Sequence, residues 1–167
     1  MPGRTSVLSV LGGAVLSAAG LFAVERPAAA DPGDAACTVR VIHAKKTGEL
    51  DKELEALRPQ FTKPPLDSFK GFSLLKKHEL QLKPGAEASK FELPNGQSGS
   101  LEFDGKADSP PDGGHKTRLK LKLQLHDVGA RLLSTRLLLN DGGTVLQGGI
   151  KHEDGTLVLG ITCRLLP

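Results

Sequence analysis

The sequence predicts a mainly β fold, an antiparallel β-sandwich or small barrel of seven to eight strands, with one amphipathic helix after the first strand. Three observations carry that expectation. Apolar and polar residues alternate with a period of two through much of the chain beyond Phe69. Turn-forming clusters recur about every ten residues over the same stretch. A single window, Leu50 to Phe61, repeats its apolar residues at helical intervals.

Taken in order, Cys37-Thr-Val-Arg-Val-Ile-His43 alternates as a first strand, with Cys37, Val39 and Val41 on one face. Leu50, Leu54, Leu57 and Phe61 then line one stripe of a helix, while Asp51, Lys52, Glu53, Glu55 and Arg58 fall outside it. That helix stops near Pro59 and is finished by Lys63-Pro64-Pro65. The remaining strands are expected at Gly71 to Leu82, Ala86 to Leu93, Gly99 to Phe103, Lys116 to His126, Arg131 to Leu139, Thr144 to Gly148 and Thr156 to Leu165. Lys83-Pro84-Gly85, Pro94-Asn95-Gly96, Asn140-Asp141-Gly142-Gly143 and Glu153-Asp154-Gly155 supply the proline-fixed and positive-φ positions of tight turns. The longest loop runs from Gly105 to Gly114.

Residues 1–30 read as a secretory signal peptide. Arg4 forms the positive start, Val7 to Val24 is uncharged and rich in apolar and small residues, and Ala28-Ala29-Ala30 offers the cleavage site. Residues 31–167 then form one mainly β domain, of a size that supports a single core. Removing Arg4, Arg26 and Glu25 lowers the net charge from +3 to +2. So balanced a surface has no general drive toward nucleic acid, and no stable membrane insertion is expected after cleavage. The expected location is periplasmic or secreted. Aromatic residues make up 4% of the chain, with no Trp or Tyr, which argues against stacking platforms for sugars or single-stranded nucleic acid.

No catalytic constellation stands out. Gly96-Gln97-Ser98-Gly99 approaches the nucleophile-elbow pattern, but Ser100 stands in place of its last glycine, and a hairpin turn explains the stretch. The histidines His43, His78, His115, His126 and His152 include no pair at metal-ligand spacing, so no metal and no cofactor is expected. His126-Asp127 are adjacent strand residues that point to opposite faces. Asp104, Asp108 and Asp112 could offer oxygens to calcium, although their spacing is not that of an EF-hand; a solvated loop is the alternative. Glu102 and Asp104 share strand parity but lack accompanying aromatic rings.

The most ordered polar feature is Lys116, Arg118, Lys120 and Lys122, alternating with Thr117, Leu119, Leu121 and Leu123. In a strand this sets the cations on one face about 6.5 to 7 Å apart, with the leucines toward the core. Such a row suits an anionic polymer or polar headgroups; protection of a sheet edge and simple solvation account for the same residues. Cys37 and Cys163 are the only cysteines. In an oxidising compartment they are expected to pair, because both share strand faces with core residues; two buried, reduced thiols are the alternative.

Asp141-Gly-Gly-Thr-Val-Leu-Gln-Gly-Gly149 resembles the strand-and-turn stretch near the end of secretins, the outer-membrane channels of bacterial secretion systems. The long channel region of that family has no counterpart here, so the resemblance implies no channel activity. From the Val39-Arg-Val-Ile strand to the closing Gly155-Thr-Leu-Val-Leu strand, the chain is similar to small exported bacterial β-proteins of unassigned activity. The expected function is that of an exported binding or assembly module, with an envelope protein or an anionic envelope polymer as partner. The alternative is a small secreted hydrolase whose site does not show in residue spacing.

Overall fold

Ala35, Cys37, Val39 and Val41 are buried on one side of an eleven-residue strand, β1 (Ala35–Lys45), as their alternation requires. The structure, a computed structural model, describes residues 33–107, 117–128 and 130–167. The expected signal peptide, residues 1–30, and Asp108, Asp112, His115 and Lys116 lie outside these. The further strands are β2 (Gly71–Leu82), β3 (Ser89–Glu92), β4 (Ser98–Ala107), β5 (Arg118–Asp127), β6 (Ala130–Asn140), β7 (Thr144–His152) and β8 (Gly155–Leu165).

Two four-stranded antiparallel sheets result, ordered β2-β1-β8-β7 and β3-β4-β5-β6. The fold is the sandwich of the two expected alternatives and not a closed barrel, since among the described residues no ladder joins the two sheets. Between them lies the main core, built from Val39, Val41, Leu159 and Ile161 on one side and Leu101, Phe103, Leu119, Leu121 and Leu123 on the other. A second, smaller core covers the outer face of the first sheet. There Leu54, Leu57, Phe61 and Leu66 pack on Ile42, Ala44, Phe72 and Val158, and the Phe61 ring stacks on Phe72 at 4.0 Å between centroids.

The segment expected to be one helix from Leu50 to Phe61 is instead a 3-10 helix, Lys52–Leu57, followed by a single α-helical turn, α1 (Arg58–Phe61). A further 3-10 turn spans Leu66–Ser68. Pro59 is the cause. It has no N–H to donate and is tolerated only in the first turn of a helix, so the helix restarts around it. Leu50 is drawn out at the other end by a parallel bridge to Phe72, where Asp51 N–H donates to the Phe72 carbonyl at 2.8 Å. The apolar stripe survives the division, with Leu54, Leu57 and Phe61 all buried.

Two strands run further than their glycines suggest. β7 continues past Gly148 to His152 because Gly149, at φ 111°, is absorbed as the extra residue of a bulge opposite β8. β4 likewise passes an irregularity between Phe103 and Gly105. β3 is shorter than expected, keeping only Ser89–Glu92 in the ladder.

Candidate functional site

On β5, Leu119, Leu121, Leu123 and Leu125 are buried, which turns Arg118, Lys120 and Lys122 to the outer face of the second sheet. Lys120 is exposed, and Arg118 and Lys122 are half-buried. Lys116 lies outside the described residues. The alternation therefore places three members of the basic row together.

Register shows what surrounds them. Lys122 sits between Glu102 of β4 and Arg136 of β6, with its Nζ 3.3 Å from Glu102 Oε2. Lys120 has Gly105 and Leu138 as partners, and Arg118 has Ala107 and Asn140. Arg131 pairs with His126 on the same face. Arg131 and Arg136 would point to opposite sides of a regular strand. The register shift beside Leu125, which leaves Leu132 as the extra residue, brings both outward. Residue spacing alone therefore misses these two arginines. Further along the face, Lys90 pairs with Ser100 and Glu92 with Ser98, while Asp104 occupies the β4 irregularity. Leu132 and Leu138 are both exposed on β6 among the cations.

Beside this face the sandwich opens at its β6–β7 side. A cavity of about 370 Å³ there is lined by Leu125, Leu132, Leu133 and Ile150. On the other side of β7, a groove of about 690 Å³ lies against the helical segment, with Pro65, Leu66, Phe69, Val145 and Leu146 among its walls.

The remaining sequence candidates separate. Gly96 to Gly99 is a hairpin connection, in which Leu93 N–H donates to the Gln97 carbonyl at 3.0 Å; Ser98 opens a strand and is not presented on a strand-to-helix bend. Asp127 is engaged at its own turn, accepting from Val128 N–H at 2.8 Å and from Gln97 Nε2 at 3.4 Å. Glu102 is taken by Lys122. Cys37 and Cys163 are direct register partners and are bonded to each other.

Two histidines that spacing keeps apart are brought together. His43 ends the inward face of β1, and His152 ends β7; their rings meet edge to face with centroids 5.0 Å apart. Beside them, Asp154 lies 3.1 Å from Lys45 Nζ. Hydrogen bonding to Lys45 holds the Asp154 carboxyl below the usual carboxylate range. No sequence signal announces this meeting, because it arises from β1 pairing with β8 and β8 returning to β7 through a two-residue turn. Comparison with known family models, with curated proteins and with solved structures gives no match for this chain.

Proposed function

We propose that this chain is an exported binding or assembly module that holds an anionic envelope polymer, in the periplasm or outside the cell, on the outer face of its second sheet. The observation that carries the reading is the cross-strand pairing of Lys122 with Arg136. Like charges directly opposite one another destabilise a sheet. Glu102 offsets one charge, yet Arg118, Lys120 and Arg131 extend the cationic surface on either side. A partner carrying repeated negative charge would relieve that repulsion along the whole face. The Cys37–Cys163 disulfide supports an oxidising, extracytoplasmic location. Among the described residues, no helix is long and apolar enough to cross a membrane.

Binding of the purified chain to immobilised teichoic acid and lipopolysaccharide, measured across a salt series, tests the reading. Wild-type affinity should fall steeply with salt, and replacing Lys120, Lys122 and Arg136 by Gln should weaken binding and flatten that dependence. Equal binding by the triple variant would overturn it.

A further inference from the structure

We infer that the corner where β1 meets the β7–β8 turn is a binding site for a divalent transition-metal ion of the zinc class, held by His43, His152 and Glu153. One ligand atom from each of these residues lies within 4.8 Å of the other two. Among the described residues this is the one such group of His, Cys and carboxylate side chains. It is separate from the cationic face, so its failure would leave that reading standing.

His43 anchors the site. The residue is only 3% exposed, and among the described residues its buried Nε2 has no hydrogen-bond partner. Asp154 Oδ1 approaches that nitrogen to 3.7 Å, which is too long for a hydrogen bond. A buried ring nitrogen left in this way is costly, and coordination to a metal ion is one way to satisfy it. Gly155 keeps the space beside it open. A Cβ there would stand 2.7 Å from His43 Nε2 and press on the Ala44 carbonyl oxygen. A side chain at the start of β8 would therefore occupy the place next to the unsatisfied nitrogen.

The other two donors come from the hairpin. His152 is half-buried, and its Nε2 lies 4.0 Å from Glu153 Oε1. Glu153 is the one described non-glycine residue with positive φ, at 46°, which sets it at the tip of the two-residue turn next to both histidines. Ligand atoms around a four-coordinate zinc ion stand about 3.3 Å apart, given bonds of about 2.0 to 2.1 Å. Closing the corner onto an ion thus shortens these separations by up to about 1.5 Å, a movement available to exposed Glu153 and half-buried His152 while His43 stays buried.

The donor set selects the ion. Two imidazoles and a carboxylate suit zinc and its first-row neighbours, whereas calcium and magnesium favour oxygen ligands throughout. Thiolate does not compete, since the cysteines are bonded to each other. Asp154 adds a second carboxylate beside the three ligands and is itself steadied by Lys45, in the manner of an outer-shell group. Three protein ligands leave a coordination position for solvent or a further ligand.

Titration of the untagged, oxidised full-length chain with Zn²⁺, read by calorimetry and equilibrium dialysis, should give one ion per chain. Co²⁺ in its place should produce the visible absorption of a tetrahedral centre, and the His43 and His152 imidazole nitrogens should shift in NMR spectra with Zn²⁺. His152→Gln and Glu153→Gln lie at half-buried and exposed positions, away from the main core. Each should weaken Zn²⁺ binding more than tenfold, the scale on which loss of even an outer-shell partner is felt. His78→Gln and His126→Gln should bind as the wild type does. Absence of stoichiometric Zn²⁺ binding, or equal binding by His152→Gln and Glu153→Gln, would overturn the site.

Discussion

Cys37 on β1 and Cys163 on β8 stand directly opposite each other in the middle of the first sheet, with Cα atoms 4.1 Å apart and a sequence separation of 126. The bond ties the first described strand to the last.

Closing so long a loop restricts the unfolded chain, by about 4 to 5 kcal/mol on the loop-entropy scale. Cys37→Ala with Cys163→Ala should therefore lower unfolding stability by an amount of that order. Denaturant unfolding of the oxidised wild type and the double variant measures the difference. Thiol titration of the unfolded, non-reduced chain should find no free thiol, and two per chain would refute the pairing.

Arg136→Glu separates the stability of the second sheet from its binding. The new carboxylate would face Lys122 in place of a guanidinium, turning a repulsive cross-strand pair into an attractive one. Stability should rise by about 0.2 to 1 kcal/mol, while binding to the anionic polymers should weaken. A loss of stability would show that Arg136 holds the sheet by contacts other than charge.

Glu79 sets a dependence on acid. Hydrogen bonding to Lys77 and then to the Thr38 hydroxyl holds its carboxyl below the usual range. A group whose pKa is depressed on folding stabilises the fold above its unfolded pKa, and that contribution is lost as pH falls through the folded value. NMR titration should find Glu79 below the usual glutamate range, and Lys77→Met should move it upward by more than Thr38→Val does. An unchanged Glu79 in Lys77→Met would contradict the assignment.

Strand faces were legible in the sequence wherever one side of a sheet is buried, because a period of two records which side that is. Leu119, Leu121 and Leu123 therefore announced the inner face of β5, and Cys37 and Cys163 their shared core position. Three features were not legible. The division of the helical segment depends on how Pro59 fits a helical turn and on the Leu50–Phe72 bridge, whereas its apolar stripe looks the same in either geometry. Arg131 and Arg136 join the cationic face only through the extra residue at Leu132, which reverses parity within β6. His43 and His152 meet only because β8 runs between their strands and pairs with both. Such contacts follow from strand order, which local patterning does not specify.

The central place of β1 and β8 in one sheet has a consequence in time. Ala35 pairs with Leu165 and Ala44 with Thr156, so β1 lacks one of its two ladders until the final strand exists. Contacts this distant in sequence form late and slow the approach to the native state. A chain still missing β8 lacks Leu157, Leu159, Ile161 and Cys163 from the main core, and it has no way to complete the sheet from within. Without β8, β1 would keep only β2 as a neighbour and β7 would have no strand to pair with, so a single strand decides whether the first sheet is one sheet or two fragments.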